Sequence, residues 1–289
     1  MIHGKLYIVP MPIGNDKDIT LRAISLLQEV DFILAEDTRD AKVILSKYQI
    51  TTPMLSYHLH NEKERLSQIT EYLYEGKDLA LISDAGTPLI SDPGYLIVKH
   101  AIDLNVRVVA LPGANAGLTA LVASGLNPDQ FIFIGFIPKK GSERNKQLAN
   151  LCDLPYTFIL YEAPHRILKT LAELCENDLA DRKISVAREL TKKYETYIYT
   201  DIKGANQYYQ KVTPRGEFVL VVEGKLDYLD RTENSTKQFL DRSAIENDVK
   251  ELLEGGMKVK SISSYLSKRT EFSKNEIYQL ALELDQKSQ

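Results

Sequence analysis

Short continuous apolar runs alternate along this chain with segments whose apolar residues recur at helical spacing. Eight runs stand out, at 6–9, 32–35, 79–82, 108–111, 131–134, 158–161, 184–187 and 218–222. They are unbroken rather than alternating, the pattern of parallel strands covered on both faces. Segments 19–30, 62–74 and 167–175 between them carry a helical period, the first entered from Asp16 and Asp18. Strand–helix alternation of this kind predicts an α/β fold. No run approaches the roughly 20 apolar residues a membrane helix needs, and the start of the chain lacks a signal peptide's basic and apolar regions. A protein without membrane attachment is expected.

Each run ends in Gly, Pro or charge: PMPIGN (10–15), AEDTR (35–39), SDAGTP (83–88), LPGANAG (111–117), GFIPKK (135–140), YEAPHR (161–166), ARELTK (187–192) and VVEG (221–224). Ligands of open α/β sheets bind outside the carboxyl ends of the strands. Four ends fall before about Asn127 and four after, so two α/β halves facing a shared cleft are expected, an N-terminal domain at 1–112 and a second at 113–226. Residues 227–243 are polar and read as a linker. In the tail, 244–289, helical periods at 245–254 and 259–266 are separated by Gly255-Gly256. Ser273 and Glu276 form a capping box opening a last helix to about Leu284. Three short helices of this kind read as a helix-turn-helix-like tail.

Composition narrows the partners. With 44% hydrophobic and 26% charged residues in 289, the chain is globular rather than disordered. Two cysteines give no disulfide framework, so a cytoplasmic location is expected. A net charge of −4 excludes a uniformly basic RNA-coating protein. Locally the balance differs: Lys258, Lys260, Lys268, Arg269 and Lys274 stand against Glu271 alone, which points to RNA. Lys139, Lys140, Arg144 and Lys146 form a basic loop, and Arg188, Lys192 and Lys193 a second cluster around Glu189. Such loops around one cleft suit a polyanionic substrate, with Tyr161 and Phe136 placed to stack on bases.

Several common signatures are missing. There is no G-x-G-x-x-G after the first strand and no G-x-x-x-x-G-K-[ST], which disfavours an ordinary dinucleotide site and a P-loop. His58-x-His60 has no companion ligands, so no metal is expected. The doubled turn SDAGTPLISDPG (83–94) is the densest feature. Asp92-Pro93 reads as an N-cap with Pro at the first helical position. Asp84, beside Gly86, reads as a ligand contact. After Pro112-Gly113 a helix starts near Asn115, and its free N–H groups could hold a polar ligand edge.

The ordered set PIGN, DITLRA, AEDTR, SDAGTPLISDPG, LPG, GFIP, YE-x-PHR, ARELTK and GEFVLVVEG resembles the bacterial 16S rRNA (cytidine-2′-O)-methyltransferase I family over roughly residues 5–224. That family belongs to the tetrapyrrole methylase fold, the class III S-adenosylmethionine (SAM) methyltransferases. The resemblance implies two α/β domains with SAM between them, usually in a homodimer, and 16S rRNA in the 30S ribosomal subunit as substrate. It implies cofactor contacts at Pro12, Gly14, Gly86, Thr87, Ile90, Asn115, Ala116, Tyr161, Glu162 and Phe218. Two positions depart from the family pattern: Pro112-Gly113-Ala114-Asn115-Ala116 stands where Pro-Gly-Pro-Ser-Ala is usual, and Met11 where Thr is common. Transfer of a methyl group to a ribose hydroxyl benefits from a base. Candidates are Glu36, Asp37 and Glu189, with Arg39, Arg188 or Lys192 positioning phosphate. Rival readings are a tetrapyrrole-type small-molecule methyltransferase and a non-catalytic RNA-binding paralogue.

Overall fold

The computed structural model describes residues 4–270 and 272–287, with side chains throughout these except at 234–241 and 287. Its first sheet is built from β1 (Lys5–Ile8), β2 (Phe32–Ala35), β3 (Met54–Ser56), β4 (Leu79–Ile82) and β5 (Arg107–Ala110), in the order β3-β2-β4-β1-β5. All four pairings are parallel. Every residue of β4 is buried, because successive side chains serve opposite faces. Leu79 and Leu81 enter a core with α3 (Glu62–Tyr74) and α4 (Tyr95–Asp103). Ala80 and Ile82 enter another with α1 (Leu21–Glu29) and α2 (Thr38–Lys47). Helix α1 starts later than the acidic pair implied. Asp16–Asp18 makes a separate 3₁₀ turn, and Thr20 caps α1 by accepting from the Ala23 amide at 3.0 Å.

The second sheet contains β6 (Phe131–Phe136), β7 (Thr157–Glu162), β8 (Lys183–Arg188), β9 (Thr196–Asp201) and β10 (Phe218–Val222), in the order β6-β7-β10-β8-β9. Here the expectation of parallel strands fails. Only β6 and β7 run parallel, while β7–β10, β10–β8 and β8–β9 are antiparallel. An unbroken apolar run records burial on two faces, not strand direction. In β10, Phe218, Leu220 and Val222 face one core and Val219 and Val221 the other. The covering helices are α5 (Ala116–Val122), α6 (Ser142–Leu151), α7 (Ile167–Leu174) and α8 (Ile202–Lys211).

Both sheets lie within one compact unit, Met1–Lys225, and Leu226–Gln289 forms a second. The stretch 227–243, which reads as a linker, is helical: it falls inside α9 (Lys225–Glu254). It contains neither Pro nor Gly, so its polarity does not interrupt the helix. In the second unit α9, α10 (Val259–Leu266) and α11 (Lys274–Lys287) share a core of Ile245, Val249, Ile262, Leu266, Ile277 and Ala281. Gly255-Gly256 ends α9, with Gly256 at φ +78°. The capping box is formed: the Ser273 amide donates to Glu276 Oε2 at 2.8 Å, and the Glu276 amide to Ser273 Oγ at 3.3 Å. Among the described residues no helix is long and apolar enough to cross a membrane.

Candidate functional site

Three strand ends of the first sheet are tied together at one edge. Met11 and Gly86 exchange both backbone hydrogen bonds, at 2.8 and 2.9 Å. The Thr87 hydroxyl donates to the Ala114 carbonyl at 2.9 Å. Gly113 packs so closely on Pro10 that a Cβ there would lie 2.5 Å from the proline ring. The loop that makes this possible is SDAGTPLISDPG. Gly86, Leu89, Ser91 and Gly94 all have positive φ, at +75°, +73°, +69° and +131°. Leu89 and Ser91 each cost on the order of 1–3 kcal/mol there, a strain that concentrates at functional sites. Because the chain is still turning at Gly94, α4 begins only at Tyr95 and has no side-chain cap. The reading of Asp92 as an N-cap is therefore corrected.

Asp92 instead lines a cleft of about 460 Å³. One wall is Ile13, Gly86, Thr87, Ile90, Asn115 and Ala116. The other comes from the second sheet and its loops: Phe136, Tyr161, Glu162, Leu190, Phe218 and Val219. Gly86, Thr87, Ile90, Asn115, Ala116, Tyr161, Glu162 and Phe218 are thus brought together. Pro12, Gly14 and Asp84 are not among the lining residues. Pro12 is buried. Gly14 lies against Lys192, whose Cγ would stand 2.4 Å from an added Cβ. Asp84 Oδ1 accepts from the Asp37 amide at 3.2 Å, tying the ends of β4 and β2.

Asn115 caps α5 by accepting from the Leu118 amide at 3.0 Å. The Tyr161 hydroxyl accepts from the Gly117 amide at 2.9 Å, and burial holds its pKa above the usual tyrosine value. Glu162 is 2% exposed and its carboxylate turns inward. It accepts from Thr170 Oγ1 at 2.6 Å and from the Ala163 amide at 2.8 Å, and pairs with Arg166 at 3.1 Å. Arg144 Nη2 in turn donates to Thr170 Oγ1 at 2.9 Å and pairs with Glu173. Arg144 is 1% exposed, which removes it from the solvent-facing basic loop predicted at 139–146. Its Nη1 and the Arg166 Nη2 hold the carbonyls of Pro138 and Ile137, at 2.9 and 2.7 Å. The two arginines thereby fix the loop carrying exposed Lys139 and Lys140.

The charged candidates separate by environment. Asp37 caps α2 and grips Arg39, its Oδ2 2.6 Å from Nη2, and these bonds hold its carboxyl well below the usual range. Glu189 is partly buried, which raises its pKa. The Glu217 amide (3.0 Å) and the Lys192 ammonium (3.1 Å) overcome that and lower it. Lys192 also bonds Glu217 at 2.8 Å. Arg188 is committed to Thr196 Oγ1 and the carbonyls of Tyr194 and Arg215. Glu36, Asp84 and Asp92 move the other way. Burial raises the Glu36 pKa, Asp84 adds to it, and His58 partly opposes. Burial likewise lifts Asp84. Burial, then the charges of Glu36 and Asp84, push Asp92 up to about 6, against a hydrogen bond from Ser83. Asp92 is a cleft-lining carboxylate that residue patterns assign to a helix cap. The repeat of Ser-Asp eight residues apart was its signal, masked by a proline that imitates a helix start.

Residues 5–205 match the family model of the tetrapyrrole (corrin/porphyrin) methylases. The chain is 51% identical over 221 residues to a ribosomal RNA small subunit methyltransferase I of Bacillus subtilis, covering 76% of this chain and 75% of that one. With the protein of the same name from Synechocystis it shares 41% identity over 282 residues, 98% and 99% of the two chains. The fold matches that of uroporphyrin-III C-methyltransferase from Thermus thermophilus, solved with S-adenyl homocysteine, at TM-score 0.55 and 18% identity over 78% of this chain and all of the other. The chain belongs to the tetrapyrrole methylase family and, within it, to the ribosomal RNA small subunit methyltransferase I proteins.

Proposed function

We propose that this chain is a SAM-dependent methyltransferase that modifies the 2′-hydroxyl of a cytidine in 16S rRNA, acting in the cytoplasm as a homodimer on the 30S subunit. The observation that carries the reading is the cleft in which a glycine-containing turn, two apolar walls and the partly buried Asp92 carboxylate meet. Its residues fit SAM. Gly86 has φ +75° and an added Cβ would lie 3.2 Å from Ile13, so the turn that lines the cleft requires glycine there. Ile13, Ile90, Leu190 and Val219 offer apolar contact, and the Tyr161 and Phe136 rings lie 5.6 Å apart at the other wall. Gly86, Thr87, Ile90, Asn115, Ala116, Tyr161, Glu162 and Phe218 would hold the cofactor, Glu162 through its backbone because its carboxylate is engaged. When bound, SAM supplies an electrophilic methyl group.

The protein's own contribution is alignment and proton removal. Holding a hydroxyl in the cleft makes an otherwise bimolecular encounter local, worth up to ~7–11 kcal/mol in well-oriented systems. Asp92 accepts the hydroxyl proton, with a pKa of about 6 that suits it to the task near neutrality. Glu36 and Asp84 sustain that pKa. Asp37 and Glu189 are weaker bases because their negative charge is already stabilised. Lys139 and Lys140, fixed by Arg144 and Arg166, meet phosphates.

The test is transfer of labelled methyl from SAM to undermethylated 30S subunits, against free 16S rRNA and a porphyrinogen, with calorimetry for SAM binding. Label in a cytidine ribose of the 30S arm is expected. Label on the porphyrinogen, or SAM binding without transfer to either RNA substrate, overturns the proposal.

A further inference from the structure

The helical unit holds a second cavity, of about 420 Å³, with no part in the cleft described above. It is lined by Lys260 and Ser263 from α10 and by Lys274, Asn275 and Tyr278 from the first turns of α11. These positions share faces: 260 and 263 are one turn apart on α10, and 278 lies one turn on from both 274 and 275 on α11. One lysine from each helix therefore lines the same concavity, beside an amide and a phenol. Ser263 is fully buried and its hydroxyl donates to the Lys260 carbonyl at 3.1 Å, so it fixes the turn that carries Lys260. The carboxylate nearest in sequence, Glu276, does not neutralise them, because the capping box turns it onto the Ser273 amide. In sequence, the stretch 258–274 carries five basic residues against Glu271 alone.

We infer that the α10–α11 cavity is an RNA-binding site that takes phosphate oxygens of the substrate's backbone between Lys260 and Lys274, with Asn275 and Tyr278 bonding phosphate or sugar. This assignment rests on the reading of the chain as an RNA-modifying enzyme. Two lysines held apart by separate helices, with no carboxylate lining the cavity, match phosphate as point charges. Contacts to phosphate position RNA without reading its sequence. The site therefore contributes affinity and salt dependence rather than choice of nucleotide.

The experiment uses the full chain and a fluorescein-labelled single-stranded RNA fragment, titrated by anisotropy over a series of KCl concentrations. For K260A/K274A, affinity falls about tenfold or more, and the slope of log K against log [KCl] shrinks by about 0.7 for each lysine removed. K260R/K274R retains binding. K250A, at an exposed lysine of α9 that does not line the cavity, behaves as wild type. Wild-type affinity and slope in K260A/K274A overturn the site, as does equal loss in K250A. Far-UV circular dichroism and SAM calorimetry, unchanged in every variant, separate lost contact from lost folding. If wild type binds RNA through these lysines but methylates none, the proposed function fails and the site stands. If wild type methylates RNA while K260A/K274A binds it normally, the site fails and the function stands.

Discussion

Asp84 and Asp92 are the two carboxylates of a repeated Ser-Asp pair, and the backbone gives them different work. Asp84 spends an oxygen on the Asp37 amide, whereas Asp92 faces the cleft with its pKa raised to about 6. Asp92→Asn is expected to bind SAM normally and to slow single-turnover methylation by ~10²–10⁴-fold. Loss of SAM binding with normal transfer at saturating SAM would assign Asp92 to the cofactor instead. In wild type the rate climbs as pH rises through about 6, and in Asp92→Asn that limb disappears. Stability moves in the opposite sense. A carboxyl whose folded pKa exceeds its unfolded value of 3.8 keeps its proton longer when folded, so the apo protein loses stability as pH rises from about 4 to 6. Asp92→Asn should therefore unfold at higher temperature than wild type at pH 7.5, with the gap closing below pH 4. Gly86 is a second decisive residue. With φ at +75° and Ile13 3.2 Å from a Cβ, Gly86→Val should abolish SAM binding, and calorimetry beside a thermal melt separates this from unfolding. Sequence patterns located Gly86 and the loop, because glycine betrays a turn. They misassigned Asp92, because Asp-Pro at a helix start and Asp-Pro inside a strained loop are the same two letters.

Elements were legible where an apolar run is unbroken, whether the strand is central or at an edge. The eight continuous runs are all strands: β4 and β10 are buried throughout, and even the edge strands β5 and β6 keep an unbroken apolar run although their ends are exposed. Two edge strands have no such run. β3 has only three residues, and β9 is an edge strand of sequence TYIYTD with partly exposed side chains. Strand direction was invisible, so the antiparallel half of the second sheet emerged only from the pairings. The buried hydrogen-bond chain from Arg144 through Thr170 to Glu162 was equally hidden, since its members lie in three different elements, α6, α7 and β7. This chain fixes the loop of Lys139 and Lys140 beside the cleft. Arg144→Ala strips a partner from Glu173, Thr170 and the Pro138 carbonyl, and should cost about 3–5 kcal/mol of stability. Thr170→Val leaves the charges in place and removes one hydroxyl that donates to one and accepts from another. A loss of about 1–3 kcal/mol is expected, read by urea unfolding. Equal, negligible losses would mean that the network is solvated rather than buried.

At the scale of the molecule, the cleft and the tail's hydrophobic core draw on different residues. Every residue lining the cleft lies within Met1–Lys225, and the hydrophobic core of the tail draws only on residues from 245 onward. None of the apolar side chains in that core belongs to the clusters that bury the two sheets. β10, the last strand, closes its ladders with β7 and β8 at Val222, so ending the chain just beyond it breaks no sheet hydrogen bond. A truncated chain of residues 1–225 is therefore expected to fold cooperatively and to bind SAM with wild-type affinity by calorimetry. Its affinity for RNA should fall at least as far as that of the full chain lacking Lys260 and Lys274, because the tail's cavity is removed whole. Methylation by this fragment should then show an unchanged maximal rate and a raised KM for RNA, since lost binding that is equal in ground and transition states leaves kcat alone. A fragment that folds but no longer binds SAM would show that the tail completes the cofactor site. A fall in kcat at saturating RNA would show that it orders the substrate at the moment of transfer.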